Sequence, residues 1–225
     1  MNIKILCWNI NMFNPPKIQL KKKIIDTINN KSNNVDFIFL IESSFEFIND
    51  LRKSKIINNF KVYNGFAMSH GGFIHLLYKK NYENNIELVQ SELPALIIKF
   101  EDTYLVGCHL YPFAENEDRR IMELIEIRNK IPKNKEYIII GDTNMREKEI
   151  TKIIKYQLID FNYYQNKKPT WYHGFFDKTK MQITARYDKI LYSDNIRIND
   201  FELIGKNKFE LLSDHLGILT TINLN

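Results

Sequence analysis

Hydrophobic residues in this chain form short runs that end in polar side chains, a pattern typical of buried strands followed by functional loops. The runs are rich in β-branched and aromatic residues, and polar or Gly-containing segments separate them. They predict strands at residues 3–11, 35–41, 60–68, 73–78, 86–89, 95–100, 104–108, 138–140, 158–161 and 186–192, with a last strand after a loop that holds Asp214 and His215. The close spacing between 60 and 108 predicts consecutive antiparallel strands.

Hydrophobic residues recur at helical spacing between these strands. Helices are predicted at 15–30, where Pro15-Pro16 would start the first turn, and at 43–53, 115–131 and 147–156. In the third helix, the residues spaced to face the core are Ile121, Leu124, Ile125 and Ile127. Its arginines, Arg119, Arg120 and Arg128, are predicted to lie on a solvated face.

The segment after the isoleucine run 138–140 carries the strongest chemical signal. Gly141 lets the backbone turn as it leaves the sheet, and Asp142, Asn144 and Arg146 follow within five residues. Asp142 can coordinate a cation or accept a proton from water, Asn144 can donate to a phosphate oxygen, and Arg146 can neutralise developing charge. An Asx turn followed by a solvated Arg explains the same residues, so the segment alone leaves both interpretations open.

Other predicted strands also end in, or are interrupted by, polar residues. The full set is Asn9, Glu42, His109, Asp142, Asn144, Asp188, Asp214 and His215. Alone, Asn9 could form a turn and Glu42 could begin a helix. Carboxylates with Asn and His but no Cys suit Mg²⁺ or Mn²⁺. Zinc spacing and a nucleophile-elbow Ser are absent from the sequence, which leaves metal-assisted phosphoryl chemistry. We predict a rim position for His70 and a structural role with satisfied hydrogen bonds for His75.

Composition narrows the class of protein further. The 225 residues predict a single domain, and a net charge of +5 with a pI near 9.0 favours a polyanionic partner. The two cysteines, Cys7 and Cys108, lie in apolar runs and are predicted to be buried free thiols. The sequence has no signal peptide and no run long enough to span a bilayer, so we expect a soluble intracellular protein without membrane attachment.

A stretch from Lys167 to Phe176 combines aromatic and basic side chains around Trp171. Such a surface can grip single-stranded nucleic acid by stacking and charge. A hydrophobic lid over the core would have the same composition, and the sequence leaves these two interpretations open.

Six ordered motifs resemble those of the endonuclease/exonuclease/phosphatase superfamily. They are Cys7-Trp8-Asn9-Ile10, Leu40-Ile41-Glu42-Ser43, Cys108-His109-Leu110, Gly141-Asp142-Thr143-Asn144, Arg186-Tyr187-Asp188-Lys189-Ile190 and Ser213-Asp214-His215. The resemblance covers nearly the whole chain. It implies a DNase I-like α/β fold, a four-layer α-β-β-α sandwich in which two mixed β-sheets lie face to face with helices outside and the active site at one edge.

Within that superfamily, the segment from Gly141 to Ile150 is similar to the tyrosyl-DNA phosphodiesterase 2 family, as are Pro169-Thr170-Trp171 and the Asp188 motif. His109 stands where apurinic endonucleases usually carry a Tyr. This resemblance implies a Mg²⁺-dependent hydrolase, with Mn²⁺ as a substitute, that acts on topoisomerase-type adducts. Its partner would be DNA, or also RNA, with a 5′-linked tyrosine or peptide, and we expect a monomer.

The same resemblance implies a role for each site residue. Glu42 would hold Mg²⁺, assisted by Asn9 and Asp214. Asp142 would orient or deprotonate the attacking water, and Asn144 would hold the phosphate. His109 and His215 would donate to the phosphoryl oxygens, and Asp188 would hold the His215 ring. Arg146 would add a further positive charge, and Trp171 would pack against the DNA end or the adduct.

Three alternatives remain from the sequence. The chain could be a general or abasic-site nuclease, or a sphingomyelinase-like lipid phosphodiesterase, both of the same superfamily. It could also be a catalytically silent nucleic-acid-binding domain, although every carboxylate and both histidines are retained.

Overall fold

The computed structural model describes residues 1–12, 18–65, 73–89, 92–161, 168–173, 183–206 and 210–224. The strands are β1 (Asn2–Asn9), β2 (Phe37–Ser43), β3 (Phe60–Tyr63), β4 (Phe73–Lys79), β5 (Ile86–Val89), β6 (Ala95–Phe100), β7 (Thr103–His109), β8 (Glu136–Asp142), β9 (Ile159–Asp160), β10 (Trp171–His173), β11 (Ile183–Ala185), β12 (Asp188–Tyr192), β13 (Arg197–Ile204) and β14 (Gly217–Asn223). The helices are α1 (Ile18–Ser32), α2 (Phe45–Arg52), α3 (Glu117–Asn129) and α4 (Glu147–Ile153).

The strands form two six-stranded sheets and a small ribbon. The first sheet has the order β13-β14-β1-β2-β4-β3, the second has the order β5-β6-β7-β8-β12-β9, and β10 pairs with β11. The pairs β1–β2 and β7–β8 are parallel, whereas their other neighbours are antiparallel. Both large sheets are therefore mixed, as predicted.

Continuous hydrophobic runs arise because both faces of the central strands are buried. In β1, Ile5 and Cys7 pack into the core between the two sheets, whereas Leu6 and Trp8 pack on the opposite face with residues of α1 and α2. The outer face of the second sheet packs in the same way against α3 and α4. The four-layer α-β-β-α sandwich is confirmed. Cys7 and Cys108 are buried free thiols, which confirms the prediction for both.

Parallel pairing places the polar ends of four strands at one edge of the sandwich. Asn9 ends β1 and Glu42 lies near the end of its parallel neighbour β2. His109 ends β7 directly opposite Asp142 at the end of the parallel strand β8.

Antiparallel strands begin at the same edge. Asp188 is the first residue of β12 and pairs with Asp142. The segment carrying Asp214 and His215 directly precedes β14, which pairs with β1. Residues that are far apart in the sequence thus meet because one set of strands ends where the other begins.

The strand predictions need correction at several places. The strands between 60 and 108 are not one antiparallel series, because β3 and β4 belong to the first sheet and β5, β6 and β7 to the second. The strand β13 was not predicted at all. It exposes Arg197, Asn199 and Glu202, and a register shift between Ile198 and Asp200 breaks its alternating pattern.

The prediction of a solvated Arg120 was wrong. Its side chain is fully buried, and its guanidinium donates to both carboxylate oxygens of Glu149, at 3.1 Å from Nε and 2.8 Å from Nη2. Its Nη1 also donates to the carbonyls of Tyr111 and Phe113. Since a buried charge is tolerated only when paired and hydrogen-bonded, these partners explain why an arginine can occupy the inner face of α3.

Other predictions meet the limits of the described residues. Pro15-Pro16, His70, Lys167 and residues 174–176 lie outside them. The described part of the aromatic stretch, Trp171–His173, is the strand β10 rather than a loop. His75 is fully buried and its Nδ1 lies 2.6 Å from the Ser43 hydroxyl, as expected of a structural histidine, but its Nε2 has no hydrogen-bond partner among the described residues, so the ring is not fully satisfied. Across the described part of the chain, the helices are too short and too polar to cross a membrane.

Candidate active site

The centre of the site is a contact among one amide and two carboxylates. The side-chain amide of Asn9 donates to Glu42 Oε1 at 2.9 Å and to Asp142 Oδ2 at 3.1 Å. Asn9 comes from the first sheet and Asp142 from the second, so this amide joins the two halves of the sandwich. Asn9 is fully buried and Asp142 is only 2% exposed.

Two imidazoles flank Asp142. The distance from Asp142 Oδ2 is 3.5 Å to His109 Nε2 and 3.6 Å to His215 Nε2. The opposite nitrogen of the second ring, His215 Nδ1, lies 2.9 Å from Asp188 Oδ2. Thr170 Oγ1 in turn accepts a hydrogen bond of 3.0 Å from the backbone N–H of Asp188. The carboxylate Asp188 thus fixes the orientation of the His215 ring.

Burial and neighbouring charges give these groups different protonation behaviour. Burial disfavours the charged form of Glu42 and raises its pKa, and the negative charge of Asp142 raises it further. The hydrogen bond from the Asn9 amide lowers this pKa but does not cancel the rise, and the result is a pKa of about 7. Burial lowers the pKa of His109 below its ordinary value, which favours a neutral ring. Burial also opposes charge on His215, but Asp188 and Asp142 overcome it and raise its pKa to about 10. The site therefore combines a neutral imidazole with a charged one.

Glu42 and Asn144 have unusual backbone conformations. Glu42 has a φ of +51° and lies where the pairing of β2 with β4 shifts register, and Asn144 has a φ of +50°. Strained conformations of this kind cluster at functional sites. Gly141 has a φ of +149°, and a Cβ there would lie 2.1 Å from the carbonyl oxygen of Cys108. Only glycine therefore fits immediately before Asp142.

The Asx-turn interpretation and the catalytic interpretation of Asp142 are compatible. The backbone N–H of Asn144 donates to Asp142 Oδ1 at 3.0 Å, which is an Asx turn. That bond leaves Oδ2 pointing at Asn9 and the two imidazoles. The amide Nδ2 of Asn144 donates to the carbonyl of Leu110 at 3.0 Å, so this side chain is held beside the cluster.

Asp214 reaches the cluster through a residue that sequence analysis missed. Its Oδ1 accepts a hydrogen bond of 2.9 Å from the Asn11 amide, and the backbone N–H of Asn11 donates to Asn9 Oδ1 at 3.0 Å. Ser213 Oγ also donates to the carbonyl of Asn9 at 2.9 Å. The available signal for Asn11 was the second amide side chain directly after the end of β1. Thr170 lies in the Pro169-Thr170-Trp171 motif, but the motif gave its hydroxyl no role.

Arg146 and Trp171 lie at the rim rather than in the cluster. Arg146 Nη1 donates to the carbonyls of Asn144 at 2.6 Å and Phe113 at 3.3 Å, and its guanidinium carbon lies 5.1 Å from the centroid of the Tyr187 ring. The Tyr187 ring centroid lies 5.1 Å from that of Trp171. Arg146, Tyr187 and Trp171 therefore form a row of contacting side chains at the border of the site.

The donor set fits a hard divalent cation. The ligand atoms of Glu42, His109 and Asp142 all lie within 4.8 Å of one another. The partly exposed carboxylate of Glu42 and the buried carboxylate of Asp142 supply the oxygen ligands that Mg²⁺ and Mn²⁺ prefer. The raised pKa of Glu42 shows that its charge is poorly compensated in the protein alone. A cation between these groups would supply the missing counter-charge.

The fold and the clustered site place this chain in the phosphodiesterase class of hydrolases. The model of the Endonuclease/Exonuclease/phosphatase family matches residues 6–215, and the chain belongs to this family. A search of curated proteins found no match.

Solved structures share the fold over almost the whole chain. TDP2 from D. rerio, complexed with a single-stranded DNA product, superposes with a TM-score of 0.78 at 19% identity over 99% of both chains. TDP2 from C. elegans gives 0.76 at 17% identity over 99% of this chain and 75% of that one. The human Nocturnin catalytic domain gives 0.71 at 16% identity over 99% and 93%. Identities this low show the fold alone.

Glu42 is expected to make stability depend on pH when divalent cations are chelated. Because the folded-state pKa is raised to about 7, the folded protein should lose stability as the pH rises from about 4.5 to about 7. Glu42→Gln should remove this loss and stabilise the chelated protein at pH 8 by roughly 1–3 kcal/mol. Urea unfolding at pH 5 and pH 8 in EDTA measures the difference. The exposed Glu46→Gln is the control, and an equal pH dependence in wild type and Glu42→Gln would contradict this expectation.

Proposed function

We propose that this protein is a divalent-metal-dependent phosphodiesterase that hydrolyses 5′-phosphotyrosyl bonds between protein and DNA. Its products would be a DNA end with a 5′-phosphate and a free tyrosine residue or peptide. The observation that carries the proposal is the convergence of Asn9, Glu42 and Asp142 between two imidazoles at the edge of the sheets. The net charge of +5 and the fold shared with TDP2, one structure of which holds a single-stranded DNA product, support a nucleic-acid substrate.

Glu42 would hold the cation, with Asn9 and Asp214 assisting through the hydrogen bonds that pass through Asn11. Bound Mg²⁺ or Mn²⁺ would supply Lewis-acid charge at the phosphoryl group. Asp142 would orient the attacking water and accept its proton at Oδ2, the oxygen that faces the two imidazoles, whereas the Asn144 backbone holds Oδ1 in the Asx turn.

The transferring phosphoryl group would be held by nitrogen donors. Asn144 has a second amide N–H besides the one given to Leu110, and it would donate that proton to the phosphate. The neutral ring of His109 and the charged ring of His215 would donate to non-bridging oxygens as negative charge builds. Asp188 would keep the His215 ring charged and aligned. Arg146 and Trp171 would contact the substrate at the rim.

The leaving group explains why no further acid is needed. A tyrosine phenol has a pKa of about 10, so its phenolate departs far more easily than a sugar alkoxide. Activation of water and neutralisation of phosphoryl charge are then sufficient for hydrolysis.

We also propose that the chain is one catalytic domain and acts as an intracellular monomer.

A substrate panel tests the proposal. It compares a short oligonucleotide carrying a 5′-phosphotyrosyl group with an abasic-site duplex, a plain single strand and sphingomyelin, each in Mg²⁺. We expect rapid release of tyrosine and little cleavage of the other three substrates. If the protein turns over one of those three substrates and releases no tyrosine, the proposed phosphodiesterase activity stands but the proposed substrate is wrong.

A further inference from the structure

Phe113 presents an exposed aromatic ring on an unfavourable backbone. Its side chain is 63% exposed, and its φ of +71° with ψ of +149° lies in a region that residues with a Cβ rarely adopt. An apolar ring in water combined with a strained backbone gains nothing for stability. The surrounding structure must therefore impose this arrangement.

Buried ionic contacts impose it. Nη1 of the buried Arg120 donates to the Phe113 carbonyl while the same guanidinium is held by Glu149. The backbone N–H of Tyr111 donates to Glu123 Oε2 at 2.9 Å. The segment from Tyr111 to Phe113 is thus tied to both α3 and α4, and the ring of Phe113 is presented outward from a rigid support.

This support stands beside the candidate active site. The segment follows directly after His109, and Arg146 joins the carbonyl of Phe113 to that of Asn144. In the second sheet β8 lies between β7 and β12. Phe113 therefore lies on the β7 side of Asp142, whereas Tyr187, whose ring lies at 43° to that of Trp171, lies on the β12 side.

We propose that Phe113 is a stacking platform for the nucleobase of the nucleotide that carries the scissile phosphate. The inference rests on the proposed function, because it requires a nucleic-acid substrate. Every such substrate has a nucleobase on the nucleotide next to the scissile phosphate, and stacking on an aromatic ring accepts any base. Two arginines lie near the platform. The guanidinium carbon of Arg119, which also pairs with Glu123, lies 3.5 Å from the Tyr111 ring centroid, and Arg146 Nη1 donates to the backbone carbonyl of Phe113. The positive charge of these arginines favours the negatively charged phosphates of the nucleic-acid strand that carries the nucleobase.

Binding measurements test the platform independently of turnover. We expect Phe113→Ala to bind a 5′-phosphorylated oligonucleotide in Mg²⁺ about tenfold more weakly by fluorescence anisotropy. Phe113→Trp should stay within about twofold of wild type. Met122→Ala, which removes another side chain that is 54% exposed on α3, is the matched control and should change nothing.

A second oligonucleotide with an abasic 5′-terminal residue identifies the partner. Wild type should bind it about as weakly as Phe113→Ala binds the normal oligonucleotide, and Phe113→Ala should cause no further loss. An unchanged affinity in Phe113→Ala, or an equal loss on both oligonucleotides, would overturn the platform. If no tyrosine is released, but Phe113→Ala still weakens binding of the normal oligonucleotide and not of the abasic one, the proposed reaction alone is overturned and the platform stands.

Discussion

Asp142→Asn is expected to lower kcat on a 5′-phosphotyrosyl oligonucleotide by about 10³-fold or more at saturating Mg²⁺. Asparagine keeps the shape of the side chain and can preserve the Asx turn with the Asn144 backbone. It cannot accept a proton from water, and a positioned general base contributes about 10²–10⁴-fold. Affinity for the 5′-phosphorylated product should change by less than about threefold, because the imidazoles and Asn144 remain in place.

Single-turnover kinetics and anisotropy with the same oligonucleotide separate these two effects. The control is Asp194→Asn, which removes an exposed carboxylate at the turn beyond the end of β12 that lies opposite Asp188. Equal losses of affinity and of rate would show that Asp142 serves binding or folding rather than proton transfer. Wild-type activity in Asp142→Asn would also contradict its catalytic role.

His215→Gln is expected to reduce kcat by about 10²–10³-fold with a smaller effect on KM. The reason is that His215 is the charged donor of the pair and would act most strongly when negative charge develops on the phosphoryl oxygens. His109→Gln should cost less, because burial favours the neutral form of that ring. Steady-state kinetics of the two variants under one set of conditions measure the difference.

The pH profile distinguishes charge on His215 from mere packing. Asp188 contacts His215 Nδ1 and raises its pKa, so Asp188→Asn should lower that pKa from about 10 toward the ordinary value. Activity of Asp188→Asn should then fall as the pH rises through 7 to 9, where wild type stays active. A parallel pH profile in both proteins would show that Asp188 only holds the ring in place.

The site residues could be predicted from the sequence because each ends or begins a strand with an unmistakable hydrophobic run. The isoleucines before Asp142 and the valine-containing run before His109 both pack against two layers, so composition alone reveals them. The exposed strand β13 has no such signal, since its outer face is polar and a register shift disrupts its alternation.

Contacts that depend on the assembled fold were beyond the sequence. The spacing of Arg120 on α3 gives no indication of Glu149, which lies 29 residues away and comes into reach only when α3 and α4 pack on the same sheet. Asn11 joins Asp214 to Asn9 through two hydrogen bonds, and Thr170 supports Asp188 through one, and these bonds follow from backbone geometry. The division of strands between two sheets likewise depends on which strands pair, and hydrophobic runs do not specify that.

The most direct test of the central proposal is the wild-type protein acting on a 5′-phosphotyrosyl oligonucleotide, first in EDTA and then with excess Mg²⁺. Tyrosine and the DNA product are followed together by mass spectrometry. We predict no reaction in EDTA and multiple turnovers in Mg²⁺, with free tyrosine and DNA that keeps its 5′-phosphate. Intact phosphotyrosyl ends in Mg²⁺, or tyrosine release that persists undiminished in EDTA, would contradict the proposal.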